Sequence, residues 1–567
     1  MFGAKKSLQF LVILGALLSP LVFAQADTLN QSRFFYVEKS FDAKARSQVE
    51  ATLKTISDNA YFYVEDDWYR NLQEEPRMFF DLALRALVNE FETTIYPQLT
   101  NSYGSEWKPG IDSDTRVAIL IHQMKKGAVG YFRTEDEMPS MEAPNSNERE
   151  MVYLNIEAVP SALAKSYLAH EFTHLIEYNQ KDRLQGVEDE TWLNEARAEY
   201  ASTLLGYNDE YKGSYLEQRV KDFIDNPRDS ITEWTNVEDD YGALNVFINY
   251  FAERYGSGVF GDSLKSREVG IASLDKSLEK YGFNKTFSQI FTDWSVAVFL
   301  NDCSLGPDYC FQRIGLQKLK VAPSLILLPN VQDSFFNLTY PAKPWAGSWY
   351  RFMGGKGQLD LTFQGDSRAG FKVPYVLCPT NGACSVNFLA LDQDAKGQLT
   401  FPNFSGDFSS LTLIPSAQSK IKGFDGVETF YDFSLSLKTK DTQGEAQLVA
   451  KLQKQLADLQ QQIKIVQAKI EEILARNQFA NCQTYFGQSI MPGERGEAVK
   501  CLQRFLAKQG QEIYPEGLIS GFFGALTKQA VIRFQEKYAN EILTPLGLTN
   551  PTGTVGPATL AKIKALL

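Results

Sequence analysis

Between residues 161 and 180 apolar side chains recur every three or four positions, and the same period runs through Pro76 to Ile95, Glu190 to Leu205 and Tyr241 to Tyr255. That spacing predicts amphipathic helices. Two runs between them carry strand signals instead: RVAILIHQM, from Arg116 to Met124, and MVYLNIE, from Met151 to Glu157. Residues 27–325 therefore read as a mixed α+β domain. From 330 to 440 the helical period disappears. Short runs such as WYRFM, QLDLTF, SVNFLAL and FYDFSLSLK alternate between Gly, Pro, Asn and Asp, which predicts a small antiparallel β-sandwich.

Residues 445–477 form a third pattern. Val449, Leu452, Leu456, Leu459, Ile463, Val466, Ile470 and Ile473 occupy successive a and d positions of a heptad without Gly or Pro. This predicts a coiled-coil helix and homo-oligomer formation through it, the alternative being a solvated spacer helix packed on its own neighbours. Residues 482–567 read as a compact three-helix unit. In it GFFGALTKQAVIRFQ (Gly521 to Gln535) and TGTVGPATLAKI (Thr552 to Ile563) are weakly alike, as though one turn-helix device were used twice.

The first 26 residues differ from all of this. Lys5 and Lys6 precede an apolar stretch, Leu8 to Phe23, and Ala24-Gln25-Ala26 has the small-x-small form of a cleavage site. The expectation is a secretory signal peptide cut after Ala26, with an uncleaved membrane anchor as the alternative. The region before the first strand is short for an autoinhibitory propeptide. Six cysteines fall into three close couples, Cys303 with Cys310, Cys378 with Cys384 and Cys482 with Cys501, which fits local disulfides in an exported protein. At 567 residues several domains are expected, and a net charge of -12 argues against a nucleic-acid or anionic-membrane partner.

Candidate chemistry sits at AHEFTHLI, residues 169–176. The chain has three histidines, and His170 and His174 are two of them. On a helix they lie one turn apart on the same face, so their imidazoles can converge on one cation; Zn2+ suits nitrogen and carboxylate donors in a tetrahedral set. Glu171 lies beside such a site, placed to take a proton from a water that the metal activates. A third ligand is needed. His122 lies upstream on a predicted strand and no histidine follows His174, which leaves Glu188, Asp189, Glu190, Glu195 and Glu199. The first three belong to a polar loop read as solvated. Glu195, in the predicted helix WLNEARAEYAS, is the ligand choice. Glu199, one turn on, is placed to accept a hydrogen bond from a ligating imidazole, or else is an i,i+4 surface charge.

HEFTH followed 21 residues later by the glutamate of NEARAE resembles the gluzincin metallopeptidases of the thermolysin-like clan, with HEFTHLIEY and TWLNEARAEYAS similar to the hyicolysin-like branch. The resemblance spans about 110–260. It implies a zincin-type catalytic domain, His170, His174 and Glu195 as zinc ligands, Glu171 as general base and then acid, and a polypeptide substrate whose backbone is received as an added β-strand by the strand before the active-site helix. Thermolysin-type enzymes use a further histidine on the oxyanion, and this chain has none downstream. Tyr241 is the candidate for that role, its alternative being a half-buried packing tyrosine.

Gly496 to Val499, Leu502 to Leu506, Gly521 to Gly524, Phe534-Gln535 and Thr552 to Thr559 resemble a small helical peptidoglycan-binding domain, which implies tethering to a bacterial cell envelope. Glu135-Asp136-Glu137 and Glu238-Asp239-Asp240 offer oxygen ligands for Ca2+, with solvated loop charge as the default reading. The expected function is a secreted zinc endopeptidase. The alternatives are a wall-peptide hydrolase and a non-catalytic surface protein with a vestigial metal site.

Overall fold

Residues 26–567, apart from 236, 332–333, 420–428, 441–445 and 481, are described by a computed structural model. Almost all of the expected signal segment lies outside the described residues. Asp27, which follows the expected cut, is buried and ion-paired with Arg33 and Arg149. The chain divides into two compact units, the first ending at Gln443 and the second starting at Gly444.

The first unit is built on six strands: β1 (Ser32–Tyr36), β2 (Gln48–Ile56), β3 (Ala60–Glu65), β4 (Val117–His122), β5 (Gly130–Phe132) and β6 (Met151–Asn155). Their order is β1-β2-β3-β4-β6-β5, with β3, β4 and β6 parallel and β5 antiparallel to β6 on the outer edge. β3, β4 and β6 are buried at every position, as central strands covered on both faces are. Helix α1 (Glu74–Glu90) runs on through a π-helical turn, Phe91–Ile95, where the sequence pattern ended.

Helix α2 (Ala164–Glu177) carries the histidines, and α3 (Thr191–Leu204) follows it. α2 buries Leu168, Phe172, Leu175 and Ile176 in the main core, and Phe172 meets the rings of Phe91 and Tyr96 at 5.1 and 5.6 Å. Each such side chain contributes about 1.5–3 kcal/mol, so the metal-site helix is fixed from behind. α4 (Tyr215–Asp225) and α5 (Glu238–Tyr255) pack on each other, and Gly242 permits the close approach: a Cβ there would stand 2.5 Å from the backbone nitrogen of Phe223.

A β-sandwich completes the unit. Its four-stranded sheet runs Lys396–Phe401, Gln358–Gly365, Tyr431–Lys440, Ser334–Ala342, and its five-stranded sheet Ser385–Phe388, Pro374–Pro379, Phe408–Leu413, Tyr350–Gly354, Ser324–Leu328. The last strand lies before the expected start at 330 and pairs parallel, not antiparallel, to Tyr350–Gly354. The sandwich has its own core, but it is joined to the helical body. Trp345 packs on Phe287 and Phe291 of helix α6 (Phe287–Leu300), and the Trp349 indole donates to the Ser295 carbonyl at 2.8 Å. All three expected cysteine couples form disulfides.

The second unit starts with a single helix, α7 (Ala446–Ala480), and ends in α8 (Glu497–Lys508), α9 (Ala525–Lys537) and α10 (Pro557–Leu566). The weak likeness in its sequence has a physical form. The buried Gln503 amide donates to Ser520, the Phe522 carbonyl and Thr527, and accepts from the Gly521 nitrogen. Gln535, 32 residues on, repeats the clasp with Thr552, the Thr554 carbonyl, Thr559 and the Gly553 nitrogen. Every partner is displaced by the same 32 residues. Gly521 and Gly553 both take a left-handed φ, 70° and 69°, which only glycine adopts without strain. Among the described residues no helix is long and apolar enough to cross a membrane.

Candidate metal centre

Three donor atoms converge between α2 and α3. His170 Nε2 lies 3.2 Å from His174 Nε2 and 3.3 Å from Glu195 Oε2, and His174 Nε2 lies 3.7 Å from the same oxygen. They form the group of His, Cys, Asp and Glu side chains among the described residues close enough to share a metal ion. Glu195 Oε2 is buried and has no hydrogen-bond partner in the protein. An orphaned carboxylate oxygen facing two imidazole nitrogens is the donor set that a divalent cation satisfies, so these residues fit a metal of the zinc type. Its identity is not fixed by the donors.

The electrostatics agree with the geometry. Burial alone would lower the imidazole pKa values, yet Glu195, with Glu177, raises His174 to about 10, and Glu195 and Glu171 raise His170. Burial would raise Glu195, but both imidazoles hold it below its ordinary value. The site therefore attracts positive charge.

Glu171 follows His170 in α2 and is 5% exposed. Burial pushes its carboxyl above the ordinary range, against the pull of the imidazoles. It lines a cavity of about 280 Å³ together with Gly127 to Gly130, Tyr167, His170, Tyr215, Arg219 and Tyr241. The edge strand β5 thus reaches the same cavity as the candidate base.

Each histidine is backed by a carboxylate. His174 Nδ1 lies 3.0 Å from Glu177 Oε2, and Glu177 Oε1 lies 3.6 Å from Arg197, which is fully buried and paired with Asp189 at 2.8 Å. Asp189 is therefore no solvated loop charge; it is 7% exposed and also receives the Gly270 nitrogen. His170 Nδ1 lies 3.6 Å from Glu199 Oε1, just outside hydrogen-bond reach. Glu199 has no exposed surface and accepts from Tyr215, twice from Arg219 and once from Asn245 at 2.5–3.0 Å, so it is not a surface charge.

Glu177 and Arg219 are absent from the residues singled out in the sequence. Glu177 was legible, being three residues from His174 and so on the same face. Arg219 carried no local signal, because its place depends on how α4 meets α3. Its guanidinium lies over the rings of Tyr215 and Tyr241, at 4.6 and 4.5 Å. Tyr241 is half-buried in the first turn of α5, beside Trp234 at 4.8 Å, and burial raises its pKa. His122 lies apart on β4, its Nε2 3.1 Å from the Tyr131 hydroxyl.

The default reading of the two acidic runs as solvated loop charge holds for Glu135, which is exposed, but not for Asp136, Glu137 and Asp240. Asp136 is fully buried and accepts from Tyr153 and Asn147, while Glu137 is 3% exposed and burial pushes its carboxyl up to about 9. Asp240 accepts the Thr235 and Val237 nitrogens and closes the start of α5. Asp136 and Asp240 are buried because the fold supplies hydroxyl and amide donors for them, whereas neither Glu137 oxygen has a donor among the described residues and burial favours its neutral form.

Residues 495–563 match a family described as putative peptidoglycan binding domain. No curated protein matches the chain. Of solved structures, the M60 catalytic domain with CBM51-1 and CBM51-2 domains from Clostridium perfringens ZmpB aligns at 8% identity and a TM-score of 0.23, over 68% of this chain and 59% of that one. PliG from Aeromonas hydrophila, a periplasmic lysozyme inhibitor of g-type lysozyme, aligns at 13% identity and a TM-score of 0.14, over 21% of this chain and 96% of its own. Likeness at these scores carries no argument about function, so the site rests on its own geometry and the C-terminal unit on its family match.

Proposed function

We propose that the protein is an exported bacterial zinc-dependent endopeptidase held at the cell envelope by its C-terminal unit. The observation that carries this reading is the convergence of His170, His174 and the otherwise unpartnered Glu195 oxygen beside a buried Glu171. His170, His174 and Glu195 hold the ion. When bound, zinc supplies Lewis acidity at the cavity floor. The strand before the active-site helix, β6, is paired on both edges by β4 and β5 and so cannot take the further strand expected of it. A substrate segment lies instead antiparallel along the outer edge of β5, which brings a peptide carbonyl over the donor set. Glu171 takes the proton of the attacking water and returns it to the leaving nitrogen. Tyr241 donates to the oxygen that gains charge. Glu177 orients the His174 imidazole from behind, while Glu199 supplies negative charge 3.6 Å behind His170.

The three disulfides favour an oxidising compartment, and the family matched at 495–563 favours peptidoglycan as the surface bound. That match equally favours a second reading, in which the wall peptide itself is the substrate. A vestigial site is disfavoured, because a structural metal gains nothing from a buried carboxylate beside its ligands. Metal content of the purified chain tests the first step. One zinc per chain is expected, falling to none in His174→Ala and Glu195→Ala; retention in both variants would refute the assignment.

A further inference from the structure

Helix α7 is exposed on every face from Gln453 to Ile470. Its apolar seam is uncovered: Leu456, Leu459, Ile463, Val466 and Ile470 are 48–55% exposed. A lone helix of this kind is marginal in water, since helical stability comes mainly from packing an apolar stripe. The stripe needs a cover with the same period.

We propose that the cover is the same helix of a second copy of this chain, paired in parallel, so that two C-terminal units are carried at one end of a two-stranded coiled coil. The a positions are Val449, Leu456, Ile463 and Ile470, and the d positions Leu452, Leu459, Val466 and Ile473. Leucine at d in the first two heptads, with Val449 at a, favours two parallel strands, while β-branched residues at both positions in the last two favour three, so a trimer is the competing outcome of the test. The flanking positions do not oppose it. In parallel register Gln455 faces Gln460 and Gln462 faces Gln467 of the second copy, so no like charges meet. Pairing through apolar layers edged by glutamine is insensitive to salt.

The arrangement makes wall attachment bivalent. Two weakly binding modules joined at one end act through effective concentration, and avidity exceeds single-site affinity by up to about 10²–10⁴ where both sites engage. This gain rests on the wall-binding reading of the C-terminal unit; the pairing itself does not.

Sedimentation equilibrium of the full secreted chain tests the pairing. A mass of two chains, unchanged at high salt, is expected. Ile463→Lys is expected to give single chains, and the outward-facing Gln461→Lys to leave the pair intact. A monomeric wild type, a trimer, or equal loss of pairing in both variants overturns the proposal. Direction is read with Ile470→Cys, the six native cysteines being consumed in disulfides. Parallel pairing gives a rapid crosslink, and its absence in a dimer overturns the orientation. Binding to insoluble peptidoglycan is then expected to weaken at least tenfold in Ile463→Lys. If the dimer binds no better than the monomer, bivalency falls; if neither binds, the wall reading falls and the pairing stands.

Discussion

Gly130 lies so close to Glu171 that a Cβ on the glycine would stand 2.7 Å from both Cγ and Oε1 of the carboxylate side chain, and 2.8 Å from the backbone oxygen of Tyr153. The edge strand thus presses the candidate base into position, and only a residue without a side chain fits there. Gly130→Ala is expected to retain the metal and to lose turnover by roughly 10²-fold, the scale of a misplacement of about 1 Å. Peptide cleavage rates measured beside metal content check this; unaltered turnover would show that Glu171 is not held by β5.

Glu177 pairs with His174 from the side opposite the donor set. Glu177→Gln is expected to weaken metal binding by about 10–100-fold, the usual effect of losing a carboxylate behind a ligating imidazole. Competition with a chromophoric chelator reads the affinity directly.

Glu199 supplies the buried carboxylate that answers Arg219. Removing one partner of a buried ion pair strands the other, at a cost of about 3–5 kcal/mol. Glu199→Ala is therefore expected to lower the urea midpoint sharply. Combining it with Arg219→Met is expected to recover a large part of the loss.

Glu137 predicts a pH dependence of stability. Its carboxyl titrates near 4.5 when unfolded and is pushed up to about 9 by burial. Between those values the folded chain holds a proton that the unfolded chain has lost, so stability is greatest at low pH in this window and falls as pH rises. One such group contributes a slope of about 1.4 kcal/mol per pH unit. Glu137→Gln is expected to flatten the fall in urea midpoint between pH 5 and 9, and an unchanged slope would assign it to other groups.

The parts of the site that share a helix were legible in the sequence. His170, Glu171 and His174 follow from one turn of α2, and Glu195 with Glu199 from one turn of α3, because local period fixes which side chains share a face. What two elements create by meeting was not. The contact of Gly130 with Glu171 depends on β5 pairing with β6, and that of Arg219 with Glu199 on α4 meeting α3. The strands β1 to β3 escaped notice; of these, Ala60–Glu65 is buried at every position and shows no alternation. The sandwich was legible from its alternation, but its union with the helical body rests on Trp345 and Trp349, whose partners lie more than 50 residues away in the chain.

The central claim, that the donor set and Glu171 form a working peptidase centre, is tested most directly by digestion of casein with the purified chain. Glu171→Gln and a chelated sample run alongside. Wild type is expected to cut, while Glu171→Gln retains one zinc and does not, with zinc restoring the chelated sample. Cleavage that survives in Glu171→Gln, or in the chelated sample, would contradict the account.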